Sequence, residues 1–336
     1  MKVTNVFLAI VAIVVIALTS CGKDEVNQKP NVYVVGYEKN EEGVSVAKLW
    51  KNGIAQNLTD GTNAAIAYSV NMSGSDVYVV GQEMEDGKGY YVAKLWKNGI
   101  AQNLTDKPSY AFSVYVSSGD VYVVGQVAEV GKDGAKLWKN GIAQNLTGEI
   151  NTAHPRSVFV SGSDVYVVGF EHDETGKSFA KLWKNGITQN LTDGTSFAVA
   201  NSVYVSGKDV YVGGYENDIA VLWKNGIIQN TGETNSSAIN SVYGMGSNVY
   251  ATGTEASGKW SAVLWKNLEK QNLSSELPWA IGYSVYVLDN DVYVAGTGIN
   301  TGSGTTQVAK LWNNGVVQDL TDGTHEAAAY SVFVAK

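Results

Sequence analysis

The residues most able to bind a ligand are those that interrupt an otherwise repetitive chain. Arg156 is the only arginine among 336 residues and closely follows His154. A guanidinium can hold a carboxylate or phosphate through two parallel hydrogen bonds, although it serves equally well in a structural ion pair. Trp279 also breaks the repeat, and its ring can stack on a sugar or pack within its own loop. These residues are therefore candidates for ligand binding.

Signatures of catalysis are missing from the sequence. It contains no GxSxG, P-loop or HExxH motif, and its single cysteine, Cys21, lies near the start of the chain. The three histidines are expected in different repeats, which gives no ligand spacing for a metal. We therefore predict no catalytic residue, no metal and no cofactor. His325 and Glu326, a further pair that departs from the repeat, are added to the ligand-binding candidates.

A Leu-Trp dipeptide recurs seven times, at spacings of 46, 42, 45, 40, 42 and 47 residues. A period near 44 residues matches one four-stranded blade of a β-propeller. The sequence therefore predicts an all-β, seven-bladed propeller with four antiparallel strands, A to D, in each blade. The seven tryptophans are predicted to be packing elements: Trp50, Trp96, Trp138, Trp183, Trp223, Trp265 and Trp312.

Each strand of the blade has its own sequence pattern. Strand A reads Ser-Val-Tyr-Val, strand B Asp-Val-Tyr-Val-Val-Gly and strand C Ala-Lys-Leu-Trp-Lys, and an Asn-Gly hairpin turn leads into strand D. The chain enters at a strand B (32–36) and finishes on a strand A (331–334). The last strand should therefore complete the first blade and remove the open sheet edge. The A and B patterns resemble NHL-type and related bacterial propeller repeats, a resemblance that implies the fold and no single activity.

The face of the propeller that carries the B–C and D–A loops is the predicted binding face. Its B–C stretches vary from 5 to 12 residues, whereas the A–B and C–D turns are short and nearly identical. Variable loops on a repeated scaffold are where binding usually occurs. The last residues of the D–A loops, just before the strand A serine, are predicted to crowd the mouth of the central channel: Tyr68, Phe112, Arg156, Asn201, Asn240, Tyr283 and Tyr330.

The beginning of the chain predicts a lipid anchor. Lys2 precedes an apolar run of 13 residues, 6–18, which is too short for a membrane span of about 20 residues and typical of a signal peptide. The run ends in Leu-Thr-Ser-Cys21, which resembles the lipobox of bacterial lipoproteins and implies lipidation of Cys21. The following Lys-Asp-Glu resembles the export signal of surface lipoproteins. We predict a signal peptide over 1–20, a polar tether over 21–31 and the propeller over 32–336.

Function is less determined than fold. A net charge of −8 disfavours a nucleic-acid partner, because phosphate binding needs clustered cations. The first hypothesis is a monomeric, non-catalytic binding or scaffold lipoprotein of the outer membrane, exposed at the cell surface or on the periplasmic side, with a glycan or an envelope protein as partner. The second is an envelope polysaccharide lyase or hydrolase with its site at the channel mouth, which requires at least two ionisable residues converging there.

Overall fold

The computed structural model describes residues 29–129, 132–146, 152–173, 175–302 and 304–336. These residues form 28 strands in seven antiparallel four-stranded sheets. The predicted all-β fold, the seven blades and the four strands per blade are confirmed. The predicted leader and Cys21 lie outside the described residues. Within the described part of the chain, no helix is long and apolar enough to cross a membrane.

The strands follow the predicted order, and strand A of each blade is innermost. Blades 1 to 3 contain β1 (Asn31–Lys39), β2 (Ser45–Lys51), β3 (Ile54–Asn57), β4 (Ala65–Ser73), β5 (Asp76–Met84), β6 (Tyr91–Lys97), β7 (Ile100–Asn103), β8 (Ser109–Ser117), β9 (Asp120–Glu129), β10 (Lys132–Lys139) and β11 (Ile142–Asn145). Blades 4 and 5 contain β12 (Thr152–Ser161), β13 (Asp164–His172), β14 (Ser178–Lys184), β15 (Ile187–Asn190), β16 (Ala198–Ser206), β17 (Asp209–Glu216), β18 (Ile219–Lys224) and β19 (Ile227–Gln229). Blades 6 and 7 and the closing strand contain β20 (Ser237–Met245), β21 (Asn248–Ala256), β22 (Trp260–Lys266), β23 (Glu269–Asn272), β24 (Trp279–Leu288), β25 (Asp291–Ile299), β26 (Gln307–Asn313), β27 (Val316–Asp319) and β28 (Ala327–Ala335).

The last strand closes the ring as predicted. β28 pairs antiparallel with β1, so blade 1 has the strand order β28-β1-β2-β3. Asn31 lies opposite Ala335, which brings both ends of the described chain to the face that carries the A–B and C–D turns. β1 begins one residue before the predicted boundary. Main-chain pairing between the two ends leaves no open inner edge at the seam.

The core consists of seven layers, each between two neighbouring blades. Every repeated tryptophan is at most 2% exposed and packs against the preceding blade. Trp96 of blade 2, for example, lies in one cluster with Val35 and Leu49 of blade 1. Both faces of the inner strands are therefore apolar because each sheet is covered on both sides. The predicted packing role of the seven tryptophans agrees with this arrangement.

The C–D hairpins use the turn that the Asn-Gly dipeptide predicts. In blade 2 the turn residues Asn98 and Gly99 have φ values of 51° and 81°, as a type I′ turn requires. The Asn98 Oδ1 accepts a hydrogen bond from the Val77 N–H, and its Nδ2 donates to Asp76. In blade 1, Asn31 takes the place of Asp76 and accepts from Asn52 at 3.1 Å. The chain thus enters the propeller directly beside a C–D turn.

Candidate functional site

A β-bulge in strand A positions each residue of the predicted mouth. The pairing of strand A with strand B shifts by one residue immediately before the repeated serine in all seven blades. These residues were predicted at the ends of the D–A loops, but they lie within strand A. A bulge re-aims its extra residue out of the alternating strand pattern. We call the seven bulged residues the mouth ring: Tyr330, Tyr68, Phe112, Arg156, Asn201, Asn240 and Tyr283.

The repeated glycine of strand B makes the bulge possible. A Cβ atom on Gly81 would lie 1.9 Å from the carbonyl oxygen of Ile66 in the bulged strand. The corresponding glycines of the other six blades meet a main-chain carbonyl in the same way, at 1.8–2.1 Å. Any side chain here would push the two strands apart, so the repeated glycine is required for the bulge that positions each residue of the mouth ring.

Four consecutive members of the mouth ring form an aromatic arc, defined as Tyr283, Tyr330, Tyr68 and Phe112. Neighbouring ring centroids are 4.9, 5.5 and 6.0 Å apart in that order. Burial, followed by the nearby Glu326 carboxylate, raises the pKa of Tyr330 to about 12. Burial likewise raises the pKa values of Tyr68 and Tyr283. The tyrosines of the arc therefore stay neutral near pH 7 and present ring surface and hydroxyl groups.

Arg156 continues the arc at its blade 4 end. Its guanidinium carbon is 5.5 Å from the ring centroids of both Phe112 and Phe170. The residue is exposed to solvent, and it forms no ion pair with any carboxylate of the described residues. Protein atoms packed around the guanidinium partly desolvate it and lower its pKa although the residue keeps solvent-exposed surface, and a guanidinium remains charged at any physiological pH. Two aromatic faces thus hold a cation whose hydrogen-bonding edges are available to a ligand.

The remaining two members of the mouth ring are engaged in the fold. Asn201 donates from Nδ2 to the Ile239 carbonyl at 2.9 Å, and Asn240 donates to the Gly282 carbonyl at 2.8 Å. Both bonds join one blade to the next. The mouth is therefore asymmetric, with an aromatic and cationic side over blades 7 and 1 to 4 and an amide side over blades 5 and 6.

His154 lies close to the arginine but has partners of its own. Its ring stacks on Phe170 at 4.4 Å, and its Nδ1 lies 2.8 Å from the Gln126 amide nitrogen. His172 lies in the same blade, with its ring 5.8 Å from that of His154. The expectation that the histidines fall in different repeats is therefore wrong, because strands A and B of blade 4 bring two of them together. Among the described residues, no group of three or more His, Cys, Asp or Glu side chains is placed to hold a metal.

The other predicted residues lie at the rim. His325 and Glu326 line a polar cavity of about 340 Å³ between blades 7 and 1. Glu326 accepts hydrogen bonds of 2.6 Å from both the Lys39 ammonium and the Tyr37 hydroxyl. The bond from Lys39 and, to a smaller extent, the bond from Tyr37 hold the pKa of Glu326 below its usual value. Trp279 begins β24 opposite Ile299, half-buried, and makes none of the ring contacts that join the arc.

Two aromatic residues beside the mouth were not predicted from the sequence. Tyr37 stacks on Tyr330 at 6.0 Å, and Phe170 lies between Arg156 and His154. Both directly follow the repeated glycine of strand B, a position that differs from blade to blade. That variability against a repeated background was the signal that could have identified them.

A ring of seven hydrogen bonds around the channel was also not predicted from the sequence. The serine hydroxyl of each strand A accepts from a valine N–H of the following blade, at 3.0–3.4 Å. Ser331 completes the circle by accepting from the Val70 N–H. The inner edges of the sheets would otherwise leave these donors unpaired. The repeated serine is therefore structural.

Below the serines, a girdle of aromatic side chains lines a cavity of about 390 Å³ toward the A–B face. Six consecutive rings contact one another at centroid distances of 4.6–5.2 Å. Asn71 interrupts the girdle in blade 2, where its Oδ1 accepts from the Val116 N–H. The six rings are Tyr115, Phe159, Tyr204, Tyr243, Tyr286 and Phe333.

Comparison with known proteins identifies the fold and goes no further. No protein-family model matches the chain, and no curated protein matches it. The structure is similar to that of a puromycin-hydrolyzing peptidase from Mycobacterium tuberculosis, with a TM-score of 0.58, 11% identity and coverage of 86% of this chain and 53% of the peptidase. It is also similar to an acylaminoacyl peptidase from Pyrococcus horikoshii, with a TM-score of 0.55, 13% identity and coverage of 88% and 51%.

A third similar structure is the β-propeller domain of the Trilobed protease from Pyrococcus furiosus, which is described as having an open velcro topology. The TM-score is 0.53, the identity 11% and the coverage 87% of this chain and 99% of that domain. This chain differs by pairing β28 with β1. It spans about half the length of the two peptidases. The resemblance of its repeats to the NHL type stays a prediction.

Proposed function

We propose that this protein is a non-catalytic binding protein of the bacterial envelope that recognises a carboxylate-bearing glycan at its mouth ring. The observation that carries the proposal is Arg156, an exposed guanidinium between two phenylalanine faces and without a carboxylate partner among the described residues. Such a group can hold a carboxylate through two hydrogen bonds. The adjoining aromatic arc offers ring faces on which a sugar can stack. A uronic acid combines both features in one residue.

Binding at the mouth ring is favoured over glycoside hydrolysis there by the state of Glu326, the acid beside the ring. Glycoside hydrolysis needs two carboxyl groups on either side of the scissile bond, one of them with a raised pKa. The mouth ring contains no carboxylate, and Glu326 at the rim is bonded to Lys39 and Tyr37 with a lowered pKa. A carboxyl group in that state is a poor general acid near neutral pH. The mouth ring and the neighbouring Glu326 therefore lack the pair of carboxyl groups that the hydrolase alternative needs.

The ligand is tested by titration of the propeller with tri-galacturonate and with the neutral galactose trimer. We expect Arg156→Met to weaken tri-galacturonate binding about tenfold or more, because the bidentate pair is lost. Arg156→Lys keeps the charge without the planar fork and should fall between the two. Lys208→Met, which removes an exposed cation from an A–B turn on the opposite face, is the matched control and should bind like the wild type.

Two results would contradict the ligand proposal. One is equal affinity of the wild type and Arg156→Met for tri-galacturonate. The other is equal affinity of the wild type for the acidic and the neutral trimer. Binding of an envelope protein that depends on Arg156, without binding of either trimer, would favour the protein partner instead.

The proposed location of the protein is the outer membrane, with a lipid on Cys21 and the propeller exposed at the cell surface. Support comes from the lipobox-like residues that end at this single cysteine. We expect Cys21→Ser to abolish incorporation of a labelled fatty acid and to release the protein from membranes. Protease added to intact cells should degrade the wild-type propeller. Degradation only after lysis would place the protein on the periplasmic side, and unlabelled wild-type protein would contradict the anchor.

A further inference from the structure

One face of the propeller carries a ring of exposed aliphatic side chains. The residue that follows each C–D turn begins strand D. It is aliphatic in the six blades with an Asn-Gly turn and is Glu269 in blade 6, where the turn is Asn267-Leu268. These side chains are 69–77% exposed and form what we call the aliphatic ring: Ile54, Ile100, Ile142, Ile187, Ile227 and Val316.

Packing does not explain the aliphatic ring. The repeated tryptophan of strand C, two residues before the asparagine of the C–D turn, is buried in every blade. The first residue of strand D, in contrast, belongs to none of the core clusters. Single exposed apolar residues are ordinary on protein surfaces. The same exposed position in six blades of a closed ring is different, because each follows a C–D turn and all six therefore begin at the same face of the propeller.

A lysine accompanies most members of the aliphatic ring. Ile100 lies directly across the hairpin from Lys97, whose ammonium reaches the Asp76 carboxylate at 2.8 Å and lies over the Tyr78 ring. Blades 3, 4 and 5 repeat the lysine–aspartate pair at 2.7–2.8 Å. The lysine charges are therefore largely balanced within the face. A surface of this kind attracts partners through its aliphatic groups more than through net charge.

The chain itself reaches the propeller at this face. Asn31, the first residue of β1, is hydrogen-bonded to Asn52 in the C–D turn that precedes Ile54. The ten residue-to-residue steps from Cys21 to Asn31 can span at most about 36 Å. The bulge that carries Tyr330 lies opposite Val35 and Gly36, about 16 Å along β1 from Asn31 and toward the face that carries the B–C and D–A loops.

We propose that the aliphatic ring rests on a lipid bilayer, with the mouth ring directed away from the membrane. Short aliphatic side chains flanked by long lysines suit the boundary between headgroups and acyl chains. The inference goes beyond the proposed ligand, and it rests on the proposed anchor only for how the propeller is held near the bilayer. Because the charges of the face are balanced, docking should depend little on anionic lipid.

The test uses the propeller over residues 29–336, which contains all 28 strands and every core cluster and has no cysteine of its own. An N-terminal histidine tag on nickel-chelating lipid replaces the anchor, so the result does not depend on Cys21. An environment-sensitive NBD fluorophore is attached at Ile100→Cys in the aliphatic ring. The matched control carries it at Phe197→Cys, a half-exposed aromatic residue at the B–C and D–A face.

On vesicles of phosphatidylcholine, we expect NBD emission at position 100 to shift to the blue, to rise about twofold, and to be quenched by nitroxide lipids. The control at position 197 should stay water-like. Threonine at Ile54, Ile142 and Ile187 should abolish the change at position 100 while keeping the β-branched shape that strands favour. Replacing a quarter of the lipid with phosphatidylglycerol should alter the signal little.

Two outcomes would overturn the proposal. A probe at position 100 that stays water-like on tethered vesicles would show that the bilayer does not cover the aliphatic ring. A blue shift without vesicles that grows with protein concentration would identify a second copy of the chain as the occupant. Neither outcome bears on the ligand at Arg156, and failure of that ligand would leave this inference intact.

Discussion

Two equivalent tryptophans should respond differently to the same substitution. Trp96 in blade 2 and Trp312 in blade 7 are 0% and 1% exposed, respectively. The Trp312 Nε1–H donates to the Leu273 carbonyl at 2.9 Å, whereas the Trp96 Nε1–H has no acceptor among the described residues. Phenylalanine at either position removes the indole N–H and a similar amount of ring surface. The two sites therefore differ mainly in the hydrogen bond.

The size of the difference in unfolding free energy follows from the hydrogen bond, which the substitution breaks at Trp312, whereas at Trp96 it removes a donor that has no acceptor. The smaller ring forfeits about 40 Å² of buried apolar surface, or about 1 kcal/mol, at both sites. Trp312→Phe also leaves a buried carbonyl without its donor, at a cost of about 1–3 kcal/mol. Trp96→Phe removes an unpaired buried donor, a gain of the same order. We expect Trp312→Phe to lower the free energy of unfolding by at least about 2 kcal/mol more than Trp96→Phe.

Urea unfolding of residues 29–336, followed by far-UV circular dichroism, measures this difference when the variants share one m-value. Trp260→Phe is the control, because Trp260 is 39% exposed and its replacement should change the free energy of unfolding by less than about 0.5 kcal/mol. Equal losses at Trp96 and Trp312, or a larger loss at Trp96, would refute the assignment of the difference to the hydrogen bond.

Three further predictions concern closure and charge. Deleting β28 should expose the edge of β1, so that the protein aggregates in size-exclusion chromatography and no longer unfolds cooperatively in urea. A monomer with the wild-type urea midpoint would contradict closure. Ser331→Ala removes the acceptor of the Val70 N–H and should cost about 1 kcal/mol in urea unfolding, with no loss expected if water replaces the hydroxyl fully. Lys39 and Tyr37 hold the pKa of Glu326 below its ordinary value of 4.5. The ionised carboxylate therefore stabilises the fold fully above pH 4.5, and this stabilisation is lost as the pH falls through the lowered pKa. The urea midpoints of wild type and Glu326→Gln should therefore converge between about pH 5 and pH 3, and a constant gap would refute the pairing.

Much of the fold could be predicted because its determinants are local and repeated. The Asn-Gly turns specify hairpins through positive φ angles, as Asn98 and Gly99 show. The Leu-Trp period counts the blades, and the incomplete first and last units require β28 to join β1. Each of these features is contained within a few residues or within the order of the strands.

The site was predicted only in part. The aromatic arc and Arg156 could be placed at the channel mouth, since all follow one position of the repeat. The pairing of Arg156 with Phe170 could not, because it depends on how the bulge in β12 aligns that strand with β13. The same alignment brings His154 to His172, against expectation.

The blade count, the turn types, the buried tryptophans and the closing strand could all be predicted, because short-range pattern and strand order are sufficient for each. The side chains that meet across blades are known only from the folded propeller. Phe112 and Arg156 belong to different repeats, and the serine ring joins every blade to the next. Such contacts depend on the twist and register of neighbouring sheets, and one repeat carries no information about the surface of the next.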